Sequence, residues 1–217
     1  MLEYGFMKYE SVLFDLDGTL IHTTHLYEQA CIAGMREIGL EFSSDDFKRL
    51  YPTGYSMAGW IVEKGGKAEQ LETVRAARDV VYHDLLSTQS EFCPGALDLL
   101  EFLRDHPTGV ITNSWRSYLD AIHKKLAIYD HLKEIITADD MGDFYKPHPH
   151  GLLVTADKLG ADPEKSIYVG DQMFDLQAAK AAGMTACLIY GPHSPEGAEK
   201  HADIVVESLA ELQTKLQ

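Results

Sequence analysis

Residues 11–20 read SVLFDLDGTL, and the fold turns on how this stretch is taken. Ser11 to Leu16 is a short apolar run that closes on acidic residues and then Gly18. It is short for a helix and bounded by a turn signal, so it predicts a buried strand. The two acids at its end, Asp15 and Asp17, lie two positions apart. On extended backbone they project to the same side.

Working outward, the next seventy positions have a different texture. Helices are expected at 26–39, at 44–50 (capped by Ser44, Asp45 or Asp46), within 54–66 and along 67–87, with no strand among them. After Cys93-Pro94-Gly95 the pattern alternates. Helices are expected at 96–103, 118–126, 150–159, 176–182 and 209–216, and strands at 109–112, 134–137, 166–170, 185–189 and 203–206. Strands alternating with helices imply a parallel sheet covered on both faces. The expected fold class is therefore α/β, a doubly wound parallel sheet. Residues 1–22 and 93–217 form its core, and 23–92 are an inserted helical unit.

In open parallel sheets, ligands bind beyond the carboxyl ends of the strands. Asp15, Asp17, Gly18 and Thr19 follow the first expected strand. Thr112, Asn113 and Ser114 follow GVI, and Asp171 and Asp175 follow SIYVG. Asp139, Asp140 and Asp143 follow EIIT, with Lys146-Pro147 just beyond. So many acids on one edge repel one another unless a cation joins them. Oxygen donors without a soft ligand suit Mg²⁺. A carboxylate there can attack phosphorus. A second acid beside it can protonate the leaving oxygen and later deprotonate water. A lysine and hydroxyl donors neutralise the transferring phosphoryl group.

Four segments together resemble the haloacid dehalogenase-like superfamily, in its phosphoglycolate phosphatase and β-phosphoglucomutase branch. They are Asp15-Leu16-Asp17-Gly18-Thr19-Leu20, Ile111-Thr112-Asn113-Ser114, Lys146-Pro147-His148-Pro149 and Gly170-Asp171-Gln172-Met173-Phe174-Asp175. The resemblance covers essentially the whole chain and implies a Rossmann-like core with a C1-type cap at 23–92. It implies Asp15 as nucleophile and Asp17 as general acid/base. Thr112, assisted by Asn113, would hold the phosphoryl oxygen. Lys146 would brace Asp15 and the phosphoryl group. Asp15, Asp171 and the Asp17 carbonyl would hold Mg²⁺. For Asp175, a helix cap and a place behind the metal ligands are both open, and compatible. The acid at position 17 favours phosphate esters over halides and phosphonates, because a leaving alkoxide needs a proton.

The sequence departs from its relatives at His22, where many carry Asp or Asn. The segment 51–60 matches no particular member. Tyr51, Tyr55 and Trp60 read as cap core, with Tyr55 the one singled out as a substrate contact. Asp139, Asp140 and Asp143 read as a solvated acidic loop. His148 and His150 read as part of a polar loop.

The implied function is a Mg²⁺-dependent phosphatase acting on a small phosphorylated metabolite. A phosphosugar mutase uses the same site, and a non-enzymatic phospho-accepting signalling domain shares the strand-end acids. With 34 acidic and 19 basic residues the formal charge is −15, which disfavours nucleic acid and anionic membranes as partners. No apolar run nears the ~20 residues of a membrane span, and residues 1–10 lack a signal core. Cys31, Cys93 and Cys187 show no metal or redox spacing. A cytoplasmic location is expected.

Overall fold

The computed structural model describes residues 7–53, 56–191 and 193–217. In chain order the elements are β1 (Ser11–Phe14), β2 (Ile21–His22), α1 (Thr24–Glu37), α2 (Ser44–Leu50), α3 (Met57–Glu63), α4 (Leu71–Gln89) and β3 (Glu91–Phe92). There follow α5 (Ala96–Phe102), β4 (Thr108–Ile111), α6 (Arg116–Leu126), β5 (Glu134–Ile136), α7 (Ala138–Met141) and α8 (His150–Leu159). The chain closes with β6 (Ser166–Gly170), α9 (Met173–Ala181), β7 (Thr185–Ile189), β8 (Ile204–Val206) and α10 (Leu209–Leu216).

Among the described residues, six strands form one sheet in the order β5-β4-β1-β6-β7-β8, with every pairing parallel. The chain builds outward from β1 through β4 to β5, then crosses back and builds the other way. β1 is thus the switch point, where open α/β sheets bind ligands. All four β1 residues are buried, and they alternate between two cores. Val12 and Phe14 pack with α5, α6 and α10 on one face. Leu13 packs with α8 and α9 on the other. The period of two along the strand gives both faces an apolar surface, and helices must cover both.

Helices α1 to α4 carry a third core around Phe47, Trp60, Ile61 and Met35. The chain enters and leaves them through β2 and β3, which pair antiparallel with Ile21 opposite Phe92 and His22 opposite Glu91. Two residues per strand carry no readable periodicity, so this ribbon was absent from the expected elements.

Three local expectations are corrected. The second helix is capped by Ser43, whose Oγ accepts from Asp46 N at 3.2 Å while Asp46 Oδ2 accepts from Ser43 N. Asp46 is the other half of this reciprocal box, not its cap. The acidic loop at 139–143 is partly helical: Asp139 and Asp140 lie in α7, and Asp140 Oδ2 accepts from Thr137 N and Oγ1. Both acids are solvated, as expected, but Asp140 is spent on the helix start and on Arg116. Helix α9 begins at Met173, three residues before the expected start, because Gln172 and Asp175 cap it. Among the described residues, no helix is long and apolar enough to cross a membrane.

Candidate active site

The site is assembled at the carboxyl ends of β1, β4 and β6. Asp15 follows β1 directly and is anchored by its own N–H, which donates to Val169 O at 2.8 Å. Its Oδ1 accepts from Lys146 Nζ at 2.6 Å. The same ammonium donates to Asp175 Oδ1 at 2.7 Å and to Tyr168 OH at 2.8 Å. Lys146 has three N–H bonds and all three are used. Its side chain is wholly enclosed. Burial opposes its charge, but Asp15 and Asp175 together hold its pKa well above the usual lysine range.

Lys146 arrives on a loop, and Asn113 holds that loop in place. Asn113 Nδ2 donates to Lys146 O and Lys146 N donates to Asn113 Oδ1, both at 3.0 Å. The Asn113 carboxamide therefore sets the lysine backbone through its oxygen and one of its two Nδ2 hydrogens. Tyr168, on β6, fixes the other side of the cage by donating to Ile111 O at 2.9 Å. Nothing in the local sequence marks Tyr168 as part of the site, because its place depends on the β1–β6 pairing.

Asp17 is held by three hydroxyls. Thr23 Oγ1 donates to Oδ1 at 2.7 Å, and Ser114 Oγ and Thr112 Oγ1 donate to Oδ2 at 2.8 and 3.1 Å. The Thr112 hydroxyl also accepts from Ser114 N at 3.0 Å. Thr112, read as a phosphoryl ligand, thus has its proton directed at Asp17 here. Thr23 and Ser114 carry no assigned role in the sequence reading. Ser114 was visible as part of the second motif, and Thr23 as the residue that opens the cap.

The acids converge on one point. Oxygens of Asp15, Asp171 and Asp175 lie within 4.8 Å of one another, and all three residues are buried. Three carboxylates there face one ammonium. Burial pushes the Asp15 carboxyl well above its usual range; Lys146 opposes this, and Asp175, Asp171 and Asp17 add to it. Burial, with Asp175, pushes Asp171 up to about 7. Both Asp175 oxygens are occupied, Oδ1 by Lys146 and Oδ2 by Gln172 N at 3.0 Å. Asp171 differs: Oδ2 accepts from Gln172 Nε2 at 2.7 Å, but Oδ1 is buried with no hydrogen-bond partner among the described residues. An orphaned buried carboxylate oxygen is costly unless a cation completes it. Gly18 keeps the space open. It has φ +85°, and a Cβ there would lie 2.7 Å from Asp171 Oδ2. An all-oxygen donor set, a surplus of negative charge and an orphaned oxygen fit a hard divalent cation. The Asp17 carboxylate accepts from one hydroxyl on Oδ1 and two on Oδ2, which leaves one acceptor site on Oδ1.

Above these groups is a cavity of about 210 Å³. Asp15, Asp17, Thr112 and Ser114 line its floor, and Tyr27, Tyr51, Arg78 and Tyr82 of the inserted helices line its roof. Tyr51 packs against Phe47 with ring centroids 4.8 Å apart, and Trp60 lies in the same core. Tyr55 lies outside the described residues. His148 and His150 lie beside the exposed Phe144, with their rings tilted against it at centroid distances of 4.8 and 5.4 Å.

The family model of the haloacid dehalogenase-like hydrolases matches residues 12–189. A Haemophilus influenzae protein is 33% identical over 190 residues, covering 85% of this chain and 93% of the relative. A phosphoglycolate phosphatase from Nitrosococcus oceani is 29% identical, covering 95% of this chain and 96% of its own. The solved structure of a hydrolase from Pseudomonas syringae superposes with a TM-score of 0.80 at 25% identity, over 95% of this chain and 97% of that one. The chain belongs to the haloacid dehalogenase-like hydrolase family, and its fold is the one that family shares.

Proposed function

We propose that this enzyme is a Mg²⁺-dependent phosphatase that hydrolyses a small phosphorylated metabolite through an aspartyl-phosphate on Asp15. The observation that carries the reading is the pairing of Asp15 and Asp17. One is pinned by Lys146, the other by three hydroxyls, and both open into the same small cavity. The phosphatase relatives, phosphoglycolate phosphatase among them, agree with it. Residues 1–22 and 93–217 are the catalytic core, and 23–92 are the cap.

Asp15 attacks phosphorus through the oxygen not bonded to Lys146, forming an acyl phosphate. Lys146 holds the nucleophile in one rotamer and counters its charge. Asp17 gives a proton to the leaving alkoxide, then takes one from the water that cleaves the intermediate. Its three hydroxyl donors fix it for both steps. Asp15, Asp171 and the Asp17 carbonyl would hold Mg²⁺, which when bound supplies positive charge against the phosphoryl oxygens. The cap roof excludes bulk water from the intermediate. Cys31, Cys93 and Cys187 are free and buried, in keeping with a reducing, cytoplasmic setting.

The test is phosphate release from a panel of phosphorylated sugars, nucleotides and small acids, with Mg²⁺ and with a chelator. Wild type is expected to release phosphate only with the metal, and Asp15→Asn to release none while keeping its circular dichroism spectrum. Turnover by Asp15→Asn, or an isomerised sugar phosphate in place of free phosphate, overturns the reading.

A further inference from the structure

Trp115 follows Ser114 directly and lines the site cavity, yet it is 44% exposed. It is the only exposed aromatic among the described residues that line the cavity. The indole therefore stands where the cavity opens to solvent. Ser114 Oγ donates to Asp17 Oδ2 at 2.8 Å, so the alcohol that Asp17 protonates departs beside the residue that precedes this ring.

Local structure does not call for an indole here. Trp115 occupies the N-cap of α6, with φ −72° and ψ 149°, and its side chain makes no capping hydrogen bond. That position favours Ser, Thr, Asp or Asn. The first N–H of the helix is served from α7 instead: Arg116 N donates to Asp139 Oδ2 at 2.6 Å. A large apolar side chain at an exposed cap breaks the local preference, and such breaks concentrate at functional sites. Its ring contact among the described residues is with Tyr145, edge-to-face with centroids 6.5 Å apart. That single contact leaves aromatic surface uncovered.

Size and charge then restrict the ligand. A cavity of about 210 Å³ is smaller than the roughly 300 Å³ at which drug-sized sites begin. With a phosphoryl group on Asp15 it encloses only a compact spacer, and the rest of a larger substrate leaves through the mouth, past the indole. Charge adds little recognition there, because Arg116, next in the chain, is paired with Asp140 at 2.7 Å. What the mouth offers is the flat face of an indole. Its complement is another flat aromatic ring, stacked offset or edge-to-face. Every nucleobase has such a face.

We infer that Trp115 is the specificity residue at the mouth of the site. It selects phosphomonoesters in which a compact neutral spacer separates the phosphoryl group from a flat aromatic ring, as in a nucleoside 5′-monophosphate. This deepens the phosphatase reading and rests on it. The competing role for Trp115 is purely structural: through Tyr145 the indole braces the loop that carries Lys146.

Two measurements separate these roles. The probes are adenosine 5′-monophosphate and methyl β-ribofuranoside 5-phosphate, which share the phosphoribosyl part and differ in the base. In Mg²⁺ kinetics, wild type should prefer the nucleotide by about tenfold or more in kcat/KM, the order that base–aromatic stacking supplies. Trp115→Ala should lose that preference, chiefly through a higher KM for the nucleotide, and Trp115→Phe should retain part of it. Equal losses on both esters would assign Trp115 to bracing the loop and overturn the proposal. So would a wild type that turns over both esters equally well, which needs no variant to fold. The second measurement is the tryptophan fluorescence of Asp15→Asn with Mg²⁺, which does not depend on turnover. The chain has two tryptophans, and Trp60 is buried in the cap core. The nucleotide should quench the emission and the riboside should not, and adding Trp115→Phe should remove the quench. No quench, an equal quench by the riboside, or a quench that survives Trp115→Phe overturns the proposal even if the phosphatase reading stands. Absence of turnover in wild type with the quench intact overturns only the phosphatase reading.

Discussion

Thr23 donates its hydroxyl to Asp17 Oδ1 across 2.7 Å. The donor is the residue that opens α1, the first helix of the insert, and the acceptor belongs to the core. The bond therefore ties the position of the insert to the orientation of the acid. A hydrogen bond to a charged group contributes about 1.5–3 kcal/mol, and about 1.4 kcal/mol is tenfold in rate. Thr23→Val keeps the shape and removes the donor. Its kcat is expected to fall roughly tenfold or more, with Thr23→Ser restoring most of it. A wild-type kcat for Thr23→Val would show that the bond is idle in catalysis.

Lys146 has no substitute within its cage. Its ammonium meets Asp15, Asp175 and Tyr168 at 2.6–2.8 Å in a wholly enclosed position. Lys146→Met leaves two buried carboxylates facing each other. Removing one partner from a buried ion pair costs about 3–5 kcal/mol. The midpoint of urea unfolding should drop accordingly, with activity lost. Lys146→Arg should fare little better, because the cage accepts three donors at one point, not a planar fork. An unchanged midpoint for Lys146→Met would mean that the acids are neutral and the cage is not ionic.

The sheet was legible because its strands are short apolar runs bounded by turn residues. Ser166–Gly170 and Thr185–Ile189 were located to the residue. The β2–β3 ribbon was not, since two residues per strand carry no pattern and their pairing spans the whole insert. The strand-end acids were legible as a group because β1, β4 and β6 are adjacent. What each one touches was not. Ser114 reaches Asp17 across 97 positions of chain, and Tyr168 meets Lys146 only after the sheet forms. Thr112 and Asn113 show the limit from the other side. The resemblance directs both to phosphate, while here one hydroxyl serves Asp17 and one carboxamide serves the Lys146 backbone.

The three cysteines should be silent toward thiol reagents. Burial pushes the thiols of Cys31, Cys93 and Cys187 up to about 12. At pH 8 only about one in 10⁴ is then thiolate, the reactive form. Native protein titrated with a disulfide reagent at pH 8 should release almost no chromophore, and urea-unfolded protein three equivalents. Rapid labelling of one native cysteine would reveal local opening around that thiol.

Asp171 should make the effect of Mg²⁺ on stability depend on pH. Its folded-state pKa is raised by burial from 3.8 to about 7. Between those values the folded protein keeps a proton that the unfolded chain has lost. Without a divalent cation, this group's contribution to stability therefore falls as pH rises from about 4 to about 7, then levels off. A cation binds the ionised carboxylate and relieves that penalty, so it stabilises most where the penalty is fully developed. At a Mg²⁺ concentration near 100 Kd the gain is about 2.7 kcal/mol. For a chain of this size that is on the order of 5–10 °C in Tm. Thermal unfolding with and without Mg²⁺ should show such a rise at pH 8 and a much smaller one at pH 5.5. Asp171→Asn removes both the titrating group and its orphaned oxygen, so its Tm should respond weakly to Mg²⁺ at either pH. An equal rise at both pH values would mean that the ion does not compete with a proton on Asp171.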